Sequence, residues 1–192
     1  MVCDMKEIQI RKNDAGQRLD RFVGKAVPLL PESLLQKYIR LKRIKRNGKG
    51  TKRDVRLVEG DVLQLYINDE FFERPTEENA WLKIATPRLD IVYEDENILL
   101  ADKKPGVLCH SAGEWSWDTL ISNIQAYLRQ TGEWDPKAEN AFTPALCNRI
   151  DRNTGGIVIA AKNAEALRIL NDKIRGREIE KSYLCVVCGR PK

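Results

Sequence analysis

Leu146-Cys147-Asn148-Arg149-Ile150-Asp151-Arg152-Asn153-Thr154-Gly155-Gly156, running on into Ile157-Val158-Ile159-Ala160-Ala161, is the stretch on which the rest of the chain turns. An aspartate beside arginines sits in a loop between two apolar runs. A carboxylate so placed is held by its neighbours yet stays within reach of a ligand, as functional loops on rigid scaffolds are. Tight strand connections draw on the same residues, so Asp, Asn, Thr and a Gly pair also describe a plain turn. Taken alone, the stretch leaves both readings open.

Moving toward the C-terminus, Asn163 caps a helix that runs to about Arg175 and ends at Gly176, with Ala166, Leu167, Leu170 and Ile174 as its buried stripe. Glu178 to Val187 reads as a strand with Ile179, Lys181, Tyr183, Cys185 and Val187 on one face. Moving the other way, Leu89–Tyr93 and Ile98–Ala101 flank Glu94-Asp95-Glu96-Asn97 as a hairpin, which Lys103-Lys104-Pro105-Gly106 breaks. His110, the one histidine, has no obvious nucleophile nearby in sequence, and such a residue is more often hydrogen-bonded and structural than a general base. Thr119 to Arg129 is a helix with Leu120, Ile121, Ile124, Tyr127 and Leu128 inward.

From Asn68 to Arg88 the chain is acidic and marked by Pro75 and Pro87, the expected boundary between two patterned regions. Phe71, Phe72 and Trp81 make it less than a free tether. The expected division is residues 1–70, an acidic linker over 71–88, and a second unit over 89–192. In the first unit Leu19, Phe22, Val23 and Ala26 space a helix that stops at Pro28. A second helix follows Pro31-Glu32-Ser33, with Leu34, Leu35, Tyr38, Ile39 and Leu41 as its apolar stripe. Asn47-Gly48 and Glu59-Gly60-Asp61 are turns, and Val62 to Ile67 is a strand.

The net charge is +5, but its distribution is uneven: from Lys37 to Arg56 there are ten Lys or Arg residues and a single acid, Asp54. Lys37, Arg40, Lys42, Arg43, Lys45, Arg46, Lys49, Lys52 and Arg53 are the candidate phosphate-binding residues, since clustered cations release counterions from a nucleic-acid backbone. No aromatic ladder accompanies them, so structured RNA, contacted through shape and backbone, fits better than a stacked single strand. A solvated basic face is the bland alternative.

The bulk numbers bound the rest. A chain of 192 residues, 42% hydrophobic, makes one medium domain or two small ones with a real core. No apolar run is long enough to span a bilayer, and Met1 to Lys6 lacks the apolar core of a signal peptide, so the cytoplasm is the expected compartment. Five scattered cysteines suit free thiols in a reducing compartment. Cys185 and Cys188 lie three apart on an expected strand and so face opposite ways, and no second pair completes a metal site. With no G-x-G-x-x-G and no P-loop, no cofactor is expected.

Two resemblances join these pieces. Arg18-Leu19-Asp20-Arg21-Phe22, the Ser33–Ile39 helix, Lys45-Arg46-Asn47-Gly48-Lys49 and Glu59-Gly60-Asp61-Val62-Leu63 resemble the alpha-L RNA-binding domain. That module occurs with several activities and names none of them. Asn148-Arg149-Ile150-Asp151-Arg152-Asn153-Thr154-Gly155-Gly156 is similar to the H-R-L-D-x-x-T-S-G stretch of the RluA-type RNA pseudouridine synthases. Asp90 to Glu96, through Lys103-Lys104-Pro105-Gly106 and His110, resembles that family's hairpin with K-P-x-G-x-x-x-H, and Lys181-Ser182-Tyr183 its K-x-Y strand.

The resemblance implies an isomerase that converts uridine in structured RNA to pseudouridine, with ribosomal RNA ahead of transfer RNA as substrate. It makes Asp151 the catalytic aspartate that frees the uracil from its ribose before the base turns over and reattaches through carbon. Arg149 matches the arginine that displaces the target base and holds the site, and Tyr183 the tyrosine that packs against the flipped base. The chemistry suits the residue types, since glycosidic cleavage needs a carboxylate at the sugar and extruding a uracil costs roughly a few kcal/mol.

Asn148 stands where the family has His, Gly155 where it has Ser, and Pro105 one place later than the family's Pro. Family members continue past the Tyr183 strand, so the chain is expected to be the N-terminal part of a longer enzyme. The architecture implied is α+β: a small helix-hairpin RNA-binding module, then a partial mixed, mostly antiparallel sheet with flanking helices, acting as a monomer. The alternatives are a non-catalytic RNA-binding protein, or another carboxylate enzyme, for which no second paired acid is present.

Overall fold

The computed structural model describes residues 5–72, 80–111 and 118–190. The linker's Glu73, Pro75, Glu77 and Glu78 lie outside the described residues. The architecture is α+β. Among the described residues four α-helices accompany two four-stranded sheets, and every strand pairing is antiparallel.

The first sheet runs in the order β1 (Lys6–Gln9), β4 (Val62–Leu65), β2 (Ile44–Arg46), β3 (Lys49–Gly50). Helices α1 (Leu19–Ala26) and α2 (Glu32–Arg40) pack against it. Phe22, Val23, Leu35, Ile39, Ile44 and Leu63 close one core. The β2–β3 connection is the expected tight turn, with Asn47 at φ 51° and Gly48 at φ 76°, conformations that suit Asn and Gly. Asn47 also ties the turn to the sheet: its Oδ1 accepts from the Val62 N–H and its Nδ2 donates to Asp61, both at 2.8 Å. Burial pushes the Asp61 carboxyl up. Hydrogen bonds from Arg46, the Val58 N–H and Asn47 outweigh it and hold Asp61 below the usual carboxylate range.

The second sheet runs β5 (Ile91–Glu94), β6 (Ile98–Lys103), β8 (Gly156–Ala161), β7 (Ala145–Leu146). Helix α3 (Leu120–Gln130) is capped by Thr119, and α4 (Ala164–Arg175) by Asn163 as its sequence implies. Leu99, Ala101, Ile124, Leu128, Val158 and Ala160 make a second core. Of the linker aromatics, Phe71 and Phe72 pack on the first core and Trp81 is buried in the second. The almost fully buried Lys162 pairs with Glu94 at 2.9 Å and with Glu133, while Tyr127 donates to Glu94 at 2.9 Å, locking β5, β8 and α3 together.

Two expectations need correction. In α4 the described residues bury Ala164 and Ala166, whereas Leu167, Leu170 and Ile174 are only half-buried, because the helix packs on one side alone. Residues 178–190 form no strand. Their alternating pattern satisfies strand periodicity, but a strand exists only within a ladder, and among the described residues neither sheet edge pairs with them. Leu184 and Val186 are fully exposed.

Candidate active site

The loop carrying Asp151 joins β7 to β8 and is anchored on both sides of that residue. On one side the Ile150 carbonyl accepts from the Cys109 thiol at 3.4 Å. On the other the Arg152 carbonyl accepts from the Gly106 N–H at 2.8 Å and from Lys103 Nζ at 3.0 Å. Arg152 Nε donates back to the Gly106 carbonyl at 3.0 Å, and the Thr154 N–H donates to the Asp151 carbonyl at 3.1 Å, closing a turn. The backbone at Asp151 is therefore fixed while its carboxylate stands exposed. Among the described residues its side chain makes no hydrogen bond or ion pair, with Arg149 and Arg152 included.

Lys103 makes this arrangement possible; in sequence it stands in the strand break whose residues resemble the family's K-P-x-G-x-x-x-H. It is 1% exposed, and its ammonium donates to the carbonyls of Lys104 (3.2 Å), Val107 (2.9 Å) and Arg152 (3.0 Å). A buried ammonium persists only when its donors are satisfied, and three carbonyls use all three N–H bonds. The signal was present. Leu99, Ala101 and Lys103 are alternate positions on β6 and share its inward face.

The departures from the family's motif have local explanations. Asn148 Oδ1 accepts from the Ile159 N–H at 2.8 Å and its Nδ2 donates to the Ile157 carbonyl at 3.3 Å, so this side chain extends the β7–β8 ladder. Gly155 and Pro105 meet in space: a Cβ added at Gly155 would stand 3.2 Å from Cδ of Pro105 and 3.5 Å from the Lys103 carbonyl. A side chain at 155 would therefore press on the Pro105 ring, which would have to give by a few tenths of an ångström. Gly155→Ser is expected to lower stability by about 1 kcal/mol. Pro105→Ala should relieve that cost in a double-mutant cycle read by thermal melting, and simple additivity of the two changes would count against the coupling.

Behind the loop lies a cleft of 860 Å³ with Asn148, Ile150, Thr154, Gly155, Lys181 and Tyr183 among its walls. Tyr183 is 64% exposed and reaches this cleft from the tail, with no strand holding it. Asp151 and Arg149 are not among the cleft's walls, so the carboxylate and the tyrosine are carried on one loop-and-tail assembly without meeting in it. His110 is pushed below its ordinary value, by burial first and then by the charge of Arg149, which places those two side chains near one another. No three His, Cys, Asp or Glu side chains among the described residues group as a metal site requires.

In the first unit the candidate cations separate into groups. Arg40, Lys42, Lys52 and Arg53 line a groove of 560 Å³ between α2 and the segment that follows the hairpin. Lys42 sits at φ 56° just past α2, and its stem lies against Gly50. Lys37 and Lys49 are exposed. Arg43 covers the Tyr38 ring at 5.0 Å and Lys45 the Tyr66 ring at 5.1 Å. Arg46 is engaged within its own hairpin, with Nε 2.7 Å from Asp61, so it is a structural cation rather than a free one.

Together these features define an α+β protein that presents an exposed, backbone-anchored carboxylate on one sheet and a cationic groove on the other. Residues 97–192, half of the chain, match the RNA pseudouridylate synthase family, and the chain belongs to that family. It is 31% identical over 183 residues to an uncharacterized RNA pseudouridine synthase of Mycoplasma genitalium, covering 94% of this chain and 55% of that one. It is 28% identical over 187 residues to the ribosomal large subunit pseudouridine synthase C of Escherichia coli, covering 97% and 55%. Among solved structures it is similar to human RNA pseudouridylate synthase domain containing 4, at TM-score 0.37 and 20% identity, over 53% of this chain and 34% of that one. The chain spans about half the length of the curated relatives it matches.

Proposed function

We propose that this protein acts in the isomerisation of uridine to pseudouridine in structured RNA, with ribosomal RNA as the substrate class. The observation that carries this is the loop of the family-matched region, whose backbone is tied down on both sides of Asp151 while the carboxylate is left open. In this reading Asp151 attacks the target nucleoside and the glycosidic bond to the uracil breaks. The freed base turns over and rejoins the ribose through carbon as the bond to Asp151 breaks; the proton that carbon loses is balanced by one gained at the freed ring nitrogen, so nothing is hydrolysed. Such a carboxylate must meet a substrate atom, and one already paired within the protein would first have to be released. Arg149, exposed beside it, is placed to enter the helix and displace the base. Tyr183, on the tail, supplies an aromatic face for the flipped uracil. No cofactor is called for by these steps.

The N-terminal unit, in the same reading, holds the RNA by its backbone through the groove of Arg40, Lys42, Lys52 and Arg53, with Lys37, Arg43, Lys45 and Lys49 around it. Replacing the four groove residues with Ala is expected to weaken RNA binding roughly 10- to 100-fold. The slope of log affinity against log salt should flatten by about 0.7–0.9 for each phosphate that is no longer neutralised. Arg46→Ala should instead act on stability, because its partner is Asp61. Filter binding across a salt series measures affinity and slope, a thermal melt measures the Arg46→Ala effect, and an unchanged slope in the groove variant would remove this surface from the RNA interface.

A further inference from the structure

Where the two units meet, the contacts are polar, directional and unused by the loop chemistry. Asn13, in the turn before α1, spends both ends of its amide on the second unit. Its Nδ2 donates to Glu139 Oε1 at 2.8 Å, and its Oδ1 accepts from the N–H of Ala164, the first residue of α4, at 3.3 Å. Asn140 reaches back the other way, its Nδ2 donating to the Gln9 carbonyl and to Asp14 Oδ2, both at 2.8 Å. From α4 the exposed Arg168 donates to the Ala15 carbonyl. Gly16 leaves room for that guanidinium: a Cβ added there would stand 2.6 Å from Arg168 Nη1, and its φ of 76° suits glycine.

A small polar interface between two units of one chain ordinarily leaves them free to move against each other. This one is spread over separate places on the second unit, at residues 139–140, 164 and 168, and hydrogen bonds depend on angle as well as distance. Together they set an orientation and not closeness alone. The junction is poorly built for strength. Asp14 Oδ1 and Glu139 Oε2 are buried without a hydrogen-bond partner, and buried acceptors left unmade cost stability. Buried polar contacts that add little stability and admit one geometry serve register.

The cationic groove belongs to the first unit and Asp151 to the second, so whatever orients the units sets the span between groove and carboxylate. We propose that this junction, through Asn13, Asn140 and Arg168, holds that span fixed and so selects the reacting uridine by its distance from the RNA element gripped in the groove. The inference rests on the function proposed above. Moving a uridine by one base pair carries it along the duplex and turns it about the helix axis, whereas a misplacement of roughly 1 Å already costs about 100-fold in rate. The three side chains are positioning residues, acting through the units they join. The substrate class that follows is an RNA stem with its uridine at one set separation from the gripped end, chosen by place more than by neighbouring sequence.

RNA hairpins of one stem length, with a single uridine moved pair by pair along the stem, test this. The wild-type protein should show one preferred position, with kcat/KM at least about tenfold above the positions beside it. Replacing Asn13, Asn140 and Arg168 with Ala should flatten the profile to within about threefold while filter binding stays near its original affinity, because the groove is untouched. A flat wild-type profile, or the same sharp peak in the variant, overturns the proposal. Should the triple variant fail to fold, Arg168→Ala alone removes an exposed side chain and should broaden the peak in the same direction; an unchanged peak there overturns it too. Nitrogen-15 relaxation of the free protein needs no turnover and separates this inference from the function beneath it. One rotational correlation time for residues 5–72 and 80–190 supports the fixed junction even where no pseudouridine forms, a result that would count against the proposed function instead. Two different times in the wild-type protein overturn the fixed span.

Discussion

On the proposed function, Asp151→Ala is expected to abolish pseudouridine formation, lowering the rate by about a thousand-fold or more, while the protein folds and binds RNA as before. The loss should be this large because the carboxylate is the group that would meet the sugar, and no other acid in the loop is placed to replace it. The fold should survive because the Asp151 side chain is exposed and makes no hydrogen bond or ion pair among the described residues. Exposed substitutions of that kind change stability by about 0.5 kcal/mol or less. What anchors the loop is the backbone at Ile150 and Arg152, which alanine at 151 leaves alone. The assay is pseudouridine content of a structured ribosomal RNA substrate, run beside filter binding and a thermal melt. Activity within about tenfold of the unsubstituted protein would sink the assignment of Asp151 and leave an RNA-binding protein with no catalysis at this loop.

Much of the fold was legible because its signals are local. Asn47-Gly48 dictates its own turn, Asn163 caps its own helix, and Leu19, Phe22 and Val23 show the buried face of α1 by spacing alone. The tail failed on the opposite ground. Alternation from Ile179 to Val187 describes a chain able to pair, and pairing depends on an edge that no local pattern reports. Arg46 misleads for a similar reason: in a run of cations it looks like its neighbours, and only the fold brings Asp61 to it from fifteen residues further along the sequence.

The site was legible in its motif and illegible in its support. Asp151, Arg149 and Tyr183 stand out by resemblance, yet what holds Asp151 in place is Lys103, Gly106 and Cys109, more than forty residues earlier. Asn148 and Gly155 look like defects in a pattern. Each proves to be fitted to a neighbour, Asn148 to β8 and Gly155 to Pro105. Lys103 and Gly106 are quoted as letters of a motif, and only the fold shows that they hold the backbone beside Asp151.

Lys103→Met should show how much that support is worth. Methionine fills most of the volume but donates nothing, so the carbonyls of Lys104, Val107 and Arg152 each lose the ammonium as a partner in a partly buried place. Leaving buried acceptors unmade costs about 1–3 kcal/mol apiece, partly offset by no longer burying an ammonium. A net loss of about 2–4 kcal/mol is expected, which lowers the melting temperature of a chain this size by about 4–16 °C. The position of the loop should suffer as well, because Arg152 then retains only its backbone and side-chain bonds with Gly106. Leu99→Ala separates the two effects. Leu99 lies on the same inward face of β6, is fully buried and makes none of the hydrogen bonds that anchor the loop, and its truncation costs about 2–5 kcal/mol through the cavity alone. Measured well below both melting temperatures, Lys103→Met should lower kcat by about 10- to 100-fold with KM little changed, while Leu99→Ala keeps kcat near its original value. Equal kcat in the two variants would mean that Lys103 holds the sheet together and nothing more, and that Asp151 finds its place without it.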